Sequence, residues 1–185
     1  MSFYSVAPFI KKYYPQYYSI EAYQVTECIP FCKVKEEWGI FSNFAHTPIK
    51  FEGMTYKSSE QLFQMMKFTD EEVRKTVYAA NNPKMMAKHY EKTHRRDDWG
   101  MVILDAMKQC LQLKYEQSEV FRAALEQSKG KYIVEDQSSF RKKSADTWGV
   151  KRQGNFYVGP NLMGRLLMEL RDNGRLEFVQ ISIIV

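Results

Sequence analysis

The sequence predicts an α+β fold, a mainly helical single domain with a small β-hairpin or sheet. The chain has 185 residues, of which 44% are hydrophobic, and this is enough to bury a core. Ile49-Lys50-Phe51 and Met54-Thr55-Tyr56 flank Glu52-Gly53, the pattern of a tight hairpin. Most of the chain between residues 58 and 172 carries helix starts, helix stops and apolar residues at helical spacing.

Capping residues divide this helical part into segments. Ser58 and Gln61 have capping-box spacing, so a helix is expected from there to about Phe68. Asn82-Pro83 is an N-cap followed by proline at the first helical position, which opens another helix. The other helices are expected from Asp70 to about Ala80, from about Asp98 to Gln117, from Ser118 to a stop at Gly130, and from Asn161 to about Asp172.

The remaining segments are assigned to strands, a loop and two extensions. Residues 1–37 are Tyr-rich, with Pro8 and Pro15 interrupting any helix, and are interpreted as an N-terminal extension whose rings pack onto the domain at 38–175. Plain packing is favoured there over a base-stacking platform. Tyr132-Ile133-Val134 is expected to be a strand and 137–160 a long polar loop, a type of segment that is often functional. A C-terminal strand is expected over 176–185.

Composition narrows the partners without choosing one. The net charge of +5 and the pI of about 9.0 favour anionic ligands, and both phosphorylated metabolites and nucleic acid fit. The three cysteines Cys28, Cys32 and Cys110 do not form a disulfide framework, so a reducing cytoplasm is expected. Zinc at Cys28, Cys32 and His46 is disfavoured because no second ligand pair follows. No secretory signal or membrane span is expected.

The residues best suited to chemistry lie on the helix that starts after Ser58. Glu60, Gln64 and Lys67 share one stripe, with Glu60 and Lys67 two turns and roughly 10 Å apart. The dipole of the first turn stabilises the ionised form of Glu60. The preceding Ser42-Asn43-Phe44 is an irregular polar segment able to hydrogen-bond a ligand. A carboxylate and an amine on one face suit chemistry on a sugar or carbonyl, and a solvated charged stripe is the alternative.

Three further segments are candidates for ligand binding. Gly159–Gly164 leads into the last helix, whose free N–H groups could hold a phosphate. Asp146-Thr147-Trp148-Gly149 offers a carboxylate next to a large ring, and Trp99 follows the charged run at 95–98. Burial in a core is the alternative for both tryptophans.

Several motifs occur in the order found in one known family. In chain order they are SNFA, SEQLFQMMKF, RDDW with Met107 eight residues after the Trp, IVE, DTWG and GPNLMGRLLMELR. On these residues the chain resembles the NADAR superfamily, also called YbiA-like, over about residues 38–172. The resemblance implies an N-glycosidase. Characterised members hydrolyse ribosylamino-pyrimidine phosphates of riboflavin biosynthesis, or remove ADP-ribose from guanine, including in DNA, as antitoxins against ADP-ribosyltransferases.

The resemblance also implies site residues. Glu60, Lys67 and Asp146 are the candidate catalytic residues. The candidate ligand-binding residues are Ser42, Asn43, Phe44, Gln64, Trp99, Trp148, Gly149, Asn161 and Gly164. One residue departs from the family pattern: the loop acid usually stands three residues before the Trp, where this chain has Ala145, whereas Asp146 stands two before it.

The expected mechanism uses the chain's own side chains, with no metal or cofactor. Lys67 forms a Schiff base with the sugar C1 and expels the base, which requires burial to lower its pKa, and Glu60 is general base and proton shuttle. In the rival mechanism, Glu60 activates water and Lys67 is only ion-paired.

Only the charge of the chain distinguishes between the two candidate substrates. ADP-ribosyl-guanine in DNA or nucleotides is favoured over the riboflavin-pathway metabolite because cations cluster around Asp146, and a base inside a duplex would need flipping. These cations are Arg141, Lys142, Lys143, Lys151 and Arg152. A cognate ADP-ribosyltransferase toxin is a further candidate partner, and no interaction with a membrane is expected. The alternative to an enzyme is a non-catalytic protein that binds ADP-ribose or NAD.

Overall fold

The computed structural model describes residues 6–183, and its secondary structure confirms the α+β, mainly helical fold. The helices are α1 (Ala7–Tyr13), α2 (Ser59–Met65), α3 (Glu71–Ala79), α4 (Pro83–His94), α5 (Trp99–Gln117), α6 (Glu119–Gln127) and α7 (Leu162–Asn173). The strands are β1 (Glu21–Gln24), β2 (Cys28–Phe31), β3 (Ile49–Phe51), β4 (Met54–Tyr56), β5 (Tyr132–Glu135), β6 (Lys151–Gln153) and β7 (Phe156–Gly159).

The chain forms two compact units, and the first comprises Met1–Ser42 and Val120–Leu176. It contains an antiparallel sheet in the order β1-β7-β6 and a parallel pair, β2 with β5. Helix α7 packs against β5. The core contains an aromatic group in which the ring of Phe41 contacts those of Phe31, Trp38 and Phe121.

Two expectations for this unit are wrong in part. Residues 137–160 are not one long loop, because β6 and β7 form a hairpin within them. The two strands were missed because both are short and β6 is polar, although Gly154-Asn155 between them is a common turn pair. The N-terminal segment does form a helix, α1, since Pro8 lies in its first turn, where proline is tolerated. Its strands β1 and β2 pair with β7 and β5.

The second unit comprises Asn43–Glu119 and Glu177–Val185 and contains the expected hairpin and capped helices. Strands β3 and β4 pair antiparallel across Glu52 and Gly53, which both have positive φ, as a tight hairpin turn requires. Ser58 accepts from the backbone N–H of Gln61, and Asn82 caps α4 in the same way through Met85. The caps fix the starts of α2 and α4, the two helices that carry the site described below.

The C-terminal segment differs from the expected strand. Residues 175–183 have no regular secondary structure, and residues 184–185 lie outside the described range. Side chains of the second unit satisfy its backbone instead: the Gln109 amide accepts from the Ile181 N–H at 2.7 Å and donates to the Ile181 carbonyl at 3.0 Å. Lys108 donates to the Glu177 carbonyl, and Arg74 donates to that of Ile183. A sequence pattern of alternating apolar residues does not reveal such side-chain pairing.

Helix α5 is long but carries buried polar side chains, Lys108, Gln109 and Lys114 among them. Across residues 6–183, no helix is both long and apolar enough to cross a membrane. Burial lowers the pKa of Lys114 to about 7. The folded state therefore bears the cost of the buried charge in full below that pKa and loses this cost as the pH rises towards the ordinary lysine pKa.

We expect Lys114→Met to flatten the pH dependence of stability. In the wild type, Lys114 contributes a rise in the free energy of unfolding on the order of 3 kcal/mol between pH 7 and pH 10, because the unfolded chain binds a proton that the folded one does not. Urea denaturation at several pH values measures the slope. Lys92→Met, at an exposed lysine of α4, is the control and should keep the wild-type slope. If Lys114→Met kept the wild-type pH dependence of the free energy of unfolding, the lowered pKa of Lys114 would be contradicted.

Candidate active site

The start of α2 is anchored by Asn43, which places Glu60. The Asn43 carbonyl accepts from the backbone N–H of Glu60 at 2.9 Å, and its side-chain oxygen accepts from the Ser59 hydroxyl at 3.3 Å. Its amide nitrogen lies 3.1 Å from the Met107 sulfur. Asn43 is 6% exposed, so its main visible contribution is to fix the first turn of the helix.

Glu60 is a buried carboxylate with two polar neighbours. The Gln64 amide donates to its Oε1 at 2.8 Å, and Lys84 Nζ of α4 lies 3.9 Å from the same oxygen. Gln64 is also buried, and its own side-chain oxygen has no hydrogen-bond donor among residues 6–183. Buried acceptors are normally satisfied, so this oxygen suits a hydroxyl donor from water or ligand.

Lys67 lies just beyond α2, which ends at Met65 rather than at about Phe68 as expected. Its carbonyl accepts from the Arg96 N–H at 2.9 Å, which ties the turn to the connection between α4 and α5. Its Nζ lies 3.6 Å from Glu91 Oε1 and 5.9 Å from the ring centroids of both Phe63 and Trp99. The amine is therefore held between one carboxylate and two aromatic rings.

The environment of Lys67 lowers the pKa of its side chain. Burial lowers the pKa of the Lys67 ammonium, and the positive charge of Lys84 lowers it further. The carboxylates of Glu91 and Glu60 oppose this effect without reversing it. A lysine whose pKa is lowered by burial has a larger fraction of nucleophilic amine at neutral pH. The expectation that burial would lower this pKa is confirmed.

Two predicted aromatic residues of this unit have different surroundings. Phe44 is 50% exposed, and Lys84 Nζ lies 4.9 Å from its ring centroid. Trp99 is 2% exposed and packs against the Phe63 ring at 5.3 Å between centroids. Phe44 can therefore offer a ring face to a base, whereas Trp99 is buried beside the Lys67 amine.

Sequence reasoning missed three charged residues: Lys84 and Glu91 of α4, and Arg95, which directly follows the end of this helix. Lys84 and Glu91 are seven residues apart, the same spacing as Glu60 and Lys67 but with the charges reversed. Each acid of one pair faces the base of the other. This complementary spacing was visible in the sequence, but it identifies a contact only when the two helices are known to pack together.

The other predicted site residues lie in the first unit, where the described contacts are structural. Asp146 accepts from the Gln137 amide at 2.5 Å and from the backbone N–H of Trp148 at 3.0 Å, which closes the loop. Asn161 is fully buried with a positive φ; its amide donates to the Ile133 carbonyl and accepts from the Glu135 N–H. Roles of Asp146, Trp148 and Asn161 towards a ligand stay predictions.

Close packing explains two glycines of this unit. A Cβ at Gly164 would overlap the Ile133 carbonyl oxygen, and one at Gly149 would overlap that of Glu135. Ser42, the first residue of the SNF segment, is 6% exposed in the same unit. These residues fit tight backbone packing, and their contact with a ligand stays a prediction.

The predicted cluster of cations around Asp146 is wrong in one member. Lys151 is 9% exposed, and its ammonium donates to the Phe140 carbonyl at 2.6 Å, so it stabilises the chain between β5 and β6. Arg141, Lys142 and Lys143 are exposed, as expected. In the part of the chain that the structure describes, no group of three or more His, Cys, Asp or Glu is arranged to hold a metal.

Comparison with known proteins identifies the family. The family model for the NADAR domain matches residues 30–175. The chain belongs to the NADAR domain family. It is 33% identical to N-glycosidase YbiA of Escherichia coli K12 over 151 residues, which cover 80% of this chain and 89% of the relative, and 32% identical to N-glycosidase YbiA of Shigella flexneri serotype 5b over the same shares.

A solved structure also resembles this NADAR chain. The NMR structure of the E. coli protein YbiA matches it with a TM-score of 0.64 and 33% identity, covering 79% of this chain and 83% of that one. Membership of the NADAR family and these relatives support a general N-glycosidase function.

Gly164→Ala should destabilise the protein, although alanine is the better helix former by about 1 kcal/mol. The added methyl overlaps the Ile133 backbone, which cannot move as a flexible side chain would, so we expect a net loss of about 1–3 kcal/mol. The midpoint of chemical denaturation measures it. Gln127→Ala at the exposed end of α6 is the control and should change stability by less than about 0.5 kcal/mol. Equal or higher stability in Gly164→Ala would refute the packing role.

Proposed function

We propose that this protein is an N-glycosidase that hydrolyses the bond between ribose C1 and a base amino group. The observation that carries the proposal is the pair formed by Glu60, a buried carboxylate, and Lys67, an amine whose pKa is lowered by burial. The family and the named activity of the relatives agree with it. A module that only bound ADP-ribose or NAD would need neither a buried acid nor a buried amine.

The first half of the reaction replaces the base with the enzyme. In the substrate, C1 of the sugar is bonded to an exocyclic nitrogen, and ring opening converts this glycosylamine to an imine. The neutral Lys67 amine adds to C1, forming a C–N bond, and the bond from C1 to the base nitrogen then breaks. Glu60 accepts each of the two protons that the amine loses in turn and delivers each to the nitrogen of the departing base. The products are a free base and a Schiff base between Lys67 and the sugar.

Water completes the reaction. Glu60 takes a proton from a water molecule as its oxygen adds to C1 and gives this proton to the Lys67 nitrogen. The carbinolamine then collapses to the sugar aldehyde and the neutral Lys67 amine as the hydroxyl proton moves to the same nitrogen. The Gln64 amide holds the reacting carboxylate at 2.8 Å, which keeps Glu60 oriented through both proton transfers. The buried oxygen of Gln64 suits a water or a sugar hydroxyl as its donor.

ADP-ribosylated guanine, in DNA or nucleotides, is the substrate we favour. The half-exposed Phe44 ring offers a base a surface for stacking, and Lys84 beside it offers a cation for phosphate. In the first unit, the exposed cations Arg141, Lys142 and Lys143 suit an anionic ligand such as a nucleic-acid strand. A base in a duplex would have to be flipped or presented single-stranded.

The ribosylamino-pyrimidine phosphate of riboflavin biosynthesis is the second candidate. It has the same bond to C1 and one phosphate, for which Lys84 alone would suffice. If guanine in DNA is the substrate, an ADP-ribosyltransferase that attaches the group becomes the natural partner, and this protein would act as its antitoxin.

Mass spectrometry of products tests the activity. Wild type is incubated with an oligonucleotide carrying ADP-ribosyl-guanine and, in parallel, with the pyrimidine metabolite. We expect wild type to release ADP-ribose and restore guanine, and Glu60→Gln to bind the substrate but to lose activity by at least about a hundredfold, the usual share of a general base. Cleavage of the metabolite alone would assign the second substrate. Binding of ADP-ribose with no turnover of either would make the protein a reader.

Lys67→Arg separates the two mechanisms. Arginine retains the positive charge but does not form a Schiff base under these conditions, since it stays protonated. We expect this variant to lose nearly all turnover, whereas direct attack by water would leave much of it. Lys88→Arg in α4 is the matched control and should keep wild-type rates. Near-normal turnover by Lys67→Arg would exclude the covalent route.

A further inference from the structure

Helix α4 carries charges that the mechanism above does not use. Glu91 Oε1 lies 3.6 Å from Lys67 Nζ and 3.7 Å from Arg95 Nη1, so one carboxylate oxygen contacts both cations. The Glu91 side chain is 21% exposed, and that of Lys67 is 13% exposed, so both lie largely out of water. An ion pair shielded in this way is screened less by solvent and salt than a surface pair.

We propose that Glu91 and Arg95 are positioning residues for Lys67: Glu91 holds the amine at the site, and Arg95 limits how strongly Glu91 holds it. The proposal deepens the proposed function and rests on Lys67 acting as its nucleophile. In this proposal the two carboxylates have different roles. Glu91 positions the enzyme's amine, and Glu60 transfers the protons of the reaction.

The charged groups that face Lys67 have opposing effects. Glu91 of α4 and Glu60 of α2 stabilise its ammonium form, whereas Lys84 of α4 and burial destabilise it. Without Glu91, burial and Lys84 would act against Glu60 alone, and the amine would lose its proton more easily. It would also lose the contact that fixes its position, because the two aromatic rings at 5.9 Å provide no directional bond.

Arg95 is placed to moderate this pair. Its guanidinium competes for the oxygen that Lys67 contacts, and it neutralises part of the Glu91 charge. The backbone supports the arrangement, because Arg95 pairs with Phe68 in an isolated bridge and the Arg96 N–H donates to the Lys67 carbonyl. Removing the guanidinium should therefore strengthen the hold of Glu91 on Lys67, the opposite of removing Glu91.

Competitive acetylation measures the effect on Lys67 directly. The full-length protein is treated with trace acetic anhydride between pH 6 and pH 11, and the modification of each lysine peptide is quantified by mass spectrometry. At pH 8, we expect Glu91→Gln to raise the acetylation rate of Lys67 about three- to tenfold, because less of the amine is protonated. Arg95→Gln should lower this rate. Glu72→Gln is the control, since Glu72 is an exposed acid that pairs with Lys75.

Activity gives a second readout. In Glu91→Gln, the acid limb of the pH–rate profile should move to lower pH, while the maximal rate falls because the amine is less well placed. Glu91→Asp should restore part of the wild-type profile. Circular dichroism and denaturation midpoints establish that each variant folds. If Glu91→Gln misfolds, Arg95→Gln still tests the proposal through its opposite sign.

The outcomes distinguish this proposal from the proposed function. An unchanged or lower acetylation rate of Lys67 in folded Glu91→Gln overturns it, as does a higher rate in Arg95→Gln. If these rates shift as expected but no glycosidic substrate is cleaved, the coupling between Glu91 and Lys67 stands and the assigned reaction falls.

Discussion

The packing of α2 against α4 is the constraint on which the site depends. It sets Glu60 opposite Lys84 and Lys67 opposite Glu91, so that each buried charge has an opposite charge within 4 Å. A charge buried without a partner would cost several kcal/mol. The caps at Ser58 and Asn82 and the contact from Asn43 fix where these helices begin. The chemistry depends on this arrangement because the same burial that makes the ions costly lowers the pKa of Lys67.

Local signals in the sequence predicted most of the second unit. The hairpin at Glu52-Gly53 and the starts of α2 and α4 follow from turn and cap chemistry, which acts over a few residues. Features that depend on distant partners were not predictable. Strand β7 lies between two partners, the distant β1 and its hairpin neighbour β6, and the C-terminal segment is held by Gln109, 72 residues away, rather than by a strand.

The candidate site shows the same contrast between residues that local signals predict and residues that depend on distant partners. Glu60, Gln64 and Lys67 could be found from spacing within one segment, and the structure brings them together with Phe44 and Trp99 in one unit. Lys84, Glu91 and Arg95 could not, because a charged stripe on a helix is usually solvated until a facing helix is known. In the other unit, Asn161 and Gly164 show why motif residues are ambiguous, because each also has a structural role. Asn161 is a buried amide that hydrogen-bonds to β5, and Gly164 lies where α7 passes too close to the β5 backbone for a Cβ.

Reductive trapping tests the central claim most directly. Wild type would be incubated with ADP-ribosyl-guanine oligonucleotide or the pyrimidine metabolite in the presence of borohydride, which reduces a Schiff base to a stable amine. Peptide mapping by mass spectrometry would then locate the adduct. The account predicts a sugar adduct on the peptide that contains Lys67, formed only with a substrate that is turned over. Efficient turnover with no adduct on Lys67 would contradict it and leave direct attack by water.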